Sequence, residues 1–205
     1  YDQLFMDIEQ ATQSIHLLYF IVRKDEVGQR LISLLAQKAA EGVEVRLVYD
    51  SAGCFGTTLK FFDSIIKAGG HVYKFHPPPL RLIGSNYNYR NHRKIVVIDG
   101  RIGYLGGMNV GKEYMSLDPN YSPWRDAHLR LVGDAVWDLQ HRFFRDYFMV
   151  CEDKRDEVHI QSNLDHYFTA SLVTTICPIQ IVSDGPDTPT DDIKLAFVKM
   201  MQTAT

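Results

Sequence analysis

Between residues 1 and 75 the chain switches repeatedly between two hydrophobic periods, one near 3.6 and one of 2, and few folds accept such a pattern. Leu4, Phe5, Ile8 and Ala11 fall at helical spacing, and a β-rich run over residues 14–22 follows. Asp25 is placed to cap a second helix, whose face is marked by Val27, Leu31, Leu34, Leu35, Lys38 and Ala39 until Gly42 ends it. Residues 43–49 alternate as a strand, residues 57–68 read as a third helix stopped by Gly69-Gly70, and residues 71–75 read as a third strand. Strands separated in this way by helices predict an α/β fold with a mostly parallel central sheet and helices on both faces.

The rhythm breaks at His76-Pro77-Pro78-Pro79, where a long connection begins, and such connections inside a compact domain are functional or mobile. Two apolar runs, residues 94–98 and 101–105, are then joined by Asp99-Gly100, a hairpin signal. Residues 127–132 alternate again, and residues 135–150 form an amphipathic helix whose Trp137, Phe143, Phe144, Tyr147 and Phe148 are expected in the core. Residues 152–165 are polar, a linker or surface helix, and residues 178–182 restart a strand ahead of a last helix. The chain starts at Tyr1 and its last helix stops uncapped, so a piece of a longer protein is expected.

With 45% apolar and 23% charged residues, disorder is excluded, and no apolar run is long enough to cross a bilayer. A net charge of -3 gives no sign of bulk nucleic-acid binding. Cys54, Cys151 and Cys177 are odd in number and widely spaced, which fits neither a disulfide framework nor a zinc site and suits a reducing compartment.

The chemistry concentrates in residues 91–109, NHRKIVVIDGRIGYLGGMN. His92 and Lys94 are two apart, so in a strand they share a face, with an imidazole beside an ammonium. That pairing suits phosphate: the imidazole attacks phosphorus or protonates a leaving oxygen, and the ammonium neutralises the non-bridging oxygens. Gly106 and Gly107 would let the backbone approach an anion, and Asn109 would offer an amide donor. In WRDAHLRL, Asp126, His128 and Arg130 share a face; Asp126 is expected to orient His92, against the plainer reading of an ion pair with Arg125 or Arg130. For His128 a structural role is the expectation.

The spacing His92-x-Lys94, four residues, Asp99, six residues, Gly106-Gly107-x-Asn109 resembles the HKD signature of the phospholipase D superfamily. Many members carry Ser where Gly107 stands. The surroundings, GVEVRLVYDSAG, YRNHRKIVVIDGRIGYLGGMNVGKEY, WRDAHLRLVGDAVWDLQ and QIVSDGPD, resemble the bacterial cardiolipin synthases within it. The resemblance implies a catalytic set of His92, Lys94, Asp99 and Asp126, with Lys94, Gly106, Gly107 and Asn109 on the substrate phosphate and no metal or cofactor. Asp99, five residues past Lys94, is read as organising the hairpin turn although it supplies a letter of the signature. The implied reaction is phosphatidyl transfer between two phosphatidylglycerol molecules through a phosphatidyl-histidine. The alternative is a phosphodiesterase or nuclease with water as acceptor.

A single HKD motif is half of the usual pair. The resemblance therefore makes residues 1–170 a first phospholipase D-like domain and residues 171–205 the truncated start of a second, with the partner histidine supplied by that second half or by a dimer mate. It implies an anionic phospholipid partner, no nucleic acid, and the cytoplasmic face of a bacterial membrane. Leu80, Leu82, Ile83, Tyr87 and Tyr89 among Arg81 and Arg90 read equally as a lip touching the lipid interface or as a packed surface loop.

Overall fold

The computed structural model describes residues 1–75, 90–170, 173, 177–185 and 188–204. It divides into two units, Tyr1–Val173 and Thr174–Thr205. In the first, α1 (Asp2–Glu9) leads into β1 (Ser14–Tyr19), α2 (Glu26–Ala40) and β2 (Glu44–Asp50). A 3-10 turn (Leu59–Phe62), α3 (Asp63–Lys67) and β3 (His71–Phe75) follow. Beyond the long connection come β4 (Ile95–Ile98), β5 (Ile102–Gly106), a 3-10 turn (Lys112–Met115), β6 (His128–Val132), α4 (Ala135–Phe148), α5 (Lys154–Ser162) and α6 (Leu164–Tyr167).

Local signals place the boundaries. The Asp25 carboxylate accepts from the Gly28 amide at 3.0 Å and starts α2; Gly42, at φ 91°, takes the left-handed conformation past its end. Asp99 and Gly100 have φ of 52° and 62°, the geometry of the tightest hairpin connection.

The six strands form one sheet in the order β3-β2-β1-β4-β5-β6. The expected mostly parallel sheet is corrected to a mixed one. The β1–β2 and β2–β3 pairings are parallel, and the β1–β4, β4–β5 and β5–β6 pairings are antiparallel. Helical crossovers build the parallel half, whereas a two-residue hairpin can join only antiparallel strands. Central strands β1 and β4 are buried along their whole length, as expected of strands covered on both faces.

On one face Ile15, Leu17, Val45, Leu47, Val96 and Ile98 pack with Leu31, Leu35, Phe5 and Ile8 of α2 and α1. On the other, α4 lies so close that a Cβ on Gly103 would stand 2.7 Å from Leu139, and Phe143 stacks on His16 at 4.7 Å. Arg46, from β2, holds Asp156 of α5 with two hydrogen bonds of 3.0 and 2.6 Å on that same face.

In the second unit, residues 177–185 are irregular and α7 (Asp192–Thr203) buries no side chain. The strand expected over residues 178–182 is absent among the described residues, because an extended segment becomes a strand only when its backbone groups find a neighbouring ladder. No helix among the described residues is long and apolar enough to cross a membrane.

Candidate active site

Five strand ends converge on one rim of the sheet. β1 and β2 leave there through Tyr19 and Asp50, β4 and β6 enter after Lys94 and Ala127, and β5 leaves at Gly106. The carboxyl ends of parallel strands are where open α/β sheets bind ligands, and the antiparallel half adds its own termini to the same rim.

His92 and Lys94 meet there. The Lys94 ammonium lies 3.0 Å from His92 Nδ1 and 3.3 Å from Nε2, and donates to the His92 carbonyl at 2.6 Å. Lys94 is only 3% exposed, while His92 is open to solvent. Phe20, from the segment after β1, braces both: its ring is 4.5 Å from the imidazole and 5.2 Å from the ammonium. Burial, then the neighbouring Lys94 charge, hold His92 below its ordinary pKa against the opposing pull of Asp50. Burial brings Lys94 down to about 8, with Asp126 acting in the other direction. Near neutral pH the site therefore presents a neutral imidazole beside a cation, the pair that attack on an anionic phosphodiester requires.

The residues on both sides of His92 are anchored by buried carboxylates. Asp50, fully buried, accepts from the Asn91 amide at 3.0 Å and from the Ala52 and Gly53 amides. Asp146 of α4 accepts from the Asn91 side chain at 2.9 Å and from Arg93 at 3.3 Å. Phe20, Asp50 and Asp146 were not singled out from sequence. The one signal for Asp146 is a charged residue on the buried, aromatic face of α4.

The other expected site residues are distributed as follows. Asp126 reaches the rim, but its carboxylate accepts from the Ala127 amide at 2.8 Å and the Trp124 indole at 3.4 Å; its charge acts on Lys94, and it makes no hydrogen bond to His92. The ion pair considered for Arg130 goes instead to Asp7, at 2.7 Å. Asp99 lies at the opposite end of β4, and its carboxylate accepts from the amides of Thr12, Gln13 and Ser14 and from the Thr12 hydroxyl. Five residues of extended chain put it roughly 16 Å from Lys94, so its place is the turn and not the reacting centre.

Gly107 and Asn109 differ from the expected anion contacts. The Gly107 amide donates to the Ala127 carbonyl at 2.9 Å, and a Cβ there would fall 2.1 Å from the Asp126 carboxylate. A Cβ on Gly106 would meet the Ala127 carbonyl at 2.4 Å. Both glycines make room for the segment that carries Asp126 and His128. The Asn109 side chain is turned inward, accepting from the Ile21 amide at 2.9 Å and donating to the Tyr114 hydroxyl at 2.7 Å. Leu80, Arg81, Leu82, Ile83, Tyr87 and Tyr89 lie outside the described residues; Arg90 donates to the Ser51 hydroxyl at 3.4 Å.

Residues 4–121 match the family model described as the cardiolipin synthase, PLD-like domain. Over 204 residues, covering the whole chain, it is 42% identical to the major cardiolipin synthase ClsA of Bacillus subtilis (strain 168) and 43% identical to the cardiolipin synthase of Staphylococcus aureus (strain Mu50). The chain spans 41% and 40% of the lengths of these two relatives. Among solved structures, NucT from Helicobacter pylori superposes with a TM-score of 0.55 at 17% identity, covering 73% of this chain and 87% of that one. Phosphatidylserine synthase from Haemophilus influenzae gives 0.54 at 16%, covering 82% and 40%. These two likenesses carry the fold, and the extent of the sequence match carries the family. The chain belongs to the cardiolipin synthase, phospholipase D-like domain family.

Proposed function

We propose that the chain is the first phospholipase D-like half of a cardiolipin synthase and that His92 is a nucleophile at phosphorus. The supporting observation is the His92–Lys94 contact at 3.0 Å on an open sheet rim, with the imidazole kept neutral. An imidazole nitrogen attacks the phosphodiester of one phosphatidylglycerol; the bond to the headgroup glycerol breaks, and that glycerol leaves with a proton from a general acid. The headgroup hydroxyl of a second phosphatidylglycerol then attacks the phosphatidyl-histidine, gives its proton to the same group acting as base, and restores the imidazole as cardiolipin is released. Lys94 neutralises the non-bridging oxygens in both steps. Asp126 tunes Lys94 electrostatically, in place of the direct orienting bond to His92 expected from sequence.

The acid–base group belongs to a second HKD motif, in a second half of the same protein that begins within residues 171–205 or in a dimer mate. Both substrates are lipids, so the rim faces a bilayer, which we assign to the cytoplasmic side of a bacterial membrane.

The test is turnover of the complete polypeptide on phosphatidylglycerol vesicles, following cardiolipin and phosphatidic acid. His92→Asn is expected to reduce phosphatidylglycerol consumption on the order of 10³-fold. Undiminished turnover removes the nucleophile, and phosphatidic acid as the sole product replaces transfer with hydrolysis.

A further inference from the structure

His92 stands just outside the sheet. Residues 90–94 have no regular structure and β4 begins only at Ile95, so no strand pairing fixes the backbone that carries the proposed nucleophile. Asp126, the carboxylate expected to orient the imidazole, bonds to Ala127 and Trp124 instead. A nucleophile still has to be held to within about 0.5 Å of its productive position. That alignment comes from the neighbours of His92.

The side chain of Asn91 reaches over His92. Its Oδ1 accepts from the Arg93 amide at 3.2 Å, closing a turn with His92 at the middle, and its Nδ2 donates to Asp146 of α4 at 2.9 Å. Asn91 is 2% exposed and Asp146 1%, so neither bond competes with bulk water. Only one orientation of the Asn91 amide serves both ends: turned over, its NH2 would face the Arg93 N–H and its oxygen would face a carboxylate. Asp146 is itself fixed, with Arg142, one turn back on α4, on one oxygen, and Asn91 and the Arg93 guanidinium on the other. The backbone amide of Asn91 donates to Asp50, and the His92 carbonyl accepts from Lys94. The amide before His92, its own carbonyl and the amide after it are therefore all tied, and the Asn91 side chain is the one part that spans the residue.

We propose that Asn91, with its amide oriented by Asp146, is the positioning residue that aims the His92 imidazole at phosphorus and keeps it against Lys94. The proposal rests on the phosphatidyl-transfer reading and deepens it. Asn91 acts through His92 and does not touch the lipid. Without its side chain the turn opens, the imidazole leaves the ammonium, and two properties change together. Attack slows because the reacting nitrogen is off line, while lipid binding, which uses other groups, is kept. His92 also loses the Lys94 charge that helps hold its pKa down, while Asp50 continues to pull it up.

The experiment follows cardiolipin formation by the complete polypeptide on phosphatidylglycerol vesicles across pH. Asn91→Ala is expected to lower kcat on the order of 10²-fold with KM for phosphatidylglycerol within about twofold. It should also move the acid limb of kcat/KM upward, toward the ordinary histidine value of 6.5. A role confined to holding up the fold would leave that limb in place. Asn91→Asp keeps an acceptor for the Arg93 amide but sets a carboxylate against Asp146, and should lose as much. Combining it with Asp146→Asn exchanges donor and acceptor across the same contact and should recover at least about tenfold of that loss. A folded Asn91→Ala variant with the parent's kcat and acid limb overturns the proposal. So does a double variant no better than Asn91→Asp alone, or a circular-dichroism melt lost in the single variants and the double one alike, which would make the pair a support of the fold only. If the parent itself makes no cardiolipin, the phosphatidyl-transfer reading falls before any variant is measured and takes this role with it.

Discussion

Lys94 is the residue on which the electrostatics of the site turn. Burial lowers its pKa and the Asp126 carboxylate opposes that, leaving the ammonium to lose its proton at about 8. Since the charged form is the one that steadies phosphate oxygens, activity should fall on the alkaline side as pH rises through that value. Asp126→Asn removes the group that raises the Lys94 pKa, so this alkaline limb should move to lower pH in a profile of kcat/KM. An unmoved limb would separate Asp126 from Lys94. The acid limb belongs to His92, held below its ordinary 6.5, and should stay in place in that variant. The proximity of His92 and Lys94 could be read from their two-residue spacing. Phe20, Asp50 and Asp146 could not, because each reaches the site from an element distant in sequence and none belongs to a recognisable spacing.

At the scale of elements, the β5–β6 edge shows why neighbouring glycines are not equivalent. An added Cβ at Gly106 collides with backbone, the Ala127 carbonyl and the His128 Cα, which cannot give way without parting the two strands. At Gly107 it meets the carboxylate of an exposed Asp126, which can swing aside. Gly106→Ala should therefore cost about 1–3 kcal/mol in denaturant unfolding, whereas Gly107→Ser should leave stability within about 0.5 kcal/mol and instead disturb Asp126. Equal losses for the two would contradict this account of the edge. The hairpin was legible because Asp-Gly is one of the few pairs that tolerate two successive left-handed residues. The third helix was longer in sequence, residues 57–68, than in the fold, where a 3-10 turn takes its first part.

For the molecule as a whole, the α4 face of the sheet carries a buried polar assembly that makes stability sensitive to acid. Burial and the adjacent Arg46 push His16 down to about 3; it therefore stays neutral, accepting from Arg46 at 3.1 Å through Nε2 and donating from Nδ1 to Gln140. Glu44, despite burial, is drawn down to about 2 by hydrogen bonds from Tyr167, Arg46 and His159. In each case the unfolded chain binds the proton at the higher pH, so folding stability is lost as pH falls: from 6.5 downward through His16, and from 4.5 downward through Glu44. Calorimetry should show Tm declining from pH 6.5, with His16→Gln flattening the stretch between 6.5 and 4.5. A parent Tm constant over that stretch would mean that His16 is not held neutral by the fold.

What the sequence determined by itself was local: the alternation of two hydrophobic periods, the cap at Asp25, the Asp99-Gly100 turn, and the nearness of His92 and Lys94, which meet just before β4 and not within a strand as expected. Each depends on residues within a turn or two of one another, where φ/ψ preference and side-chain direction settle the outcome. Only the tertiary structure decided which strands run antiparallel, that Asp126 acts on Lys94 instead of bonding to His92, that Asn109 turns inward, and that Phe20 braces both His92 and Lys94. Those facts depend on the register between strands far apart in the chain, and register is set by how whole faces pack, which no spacing within one segment records.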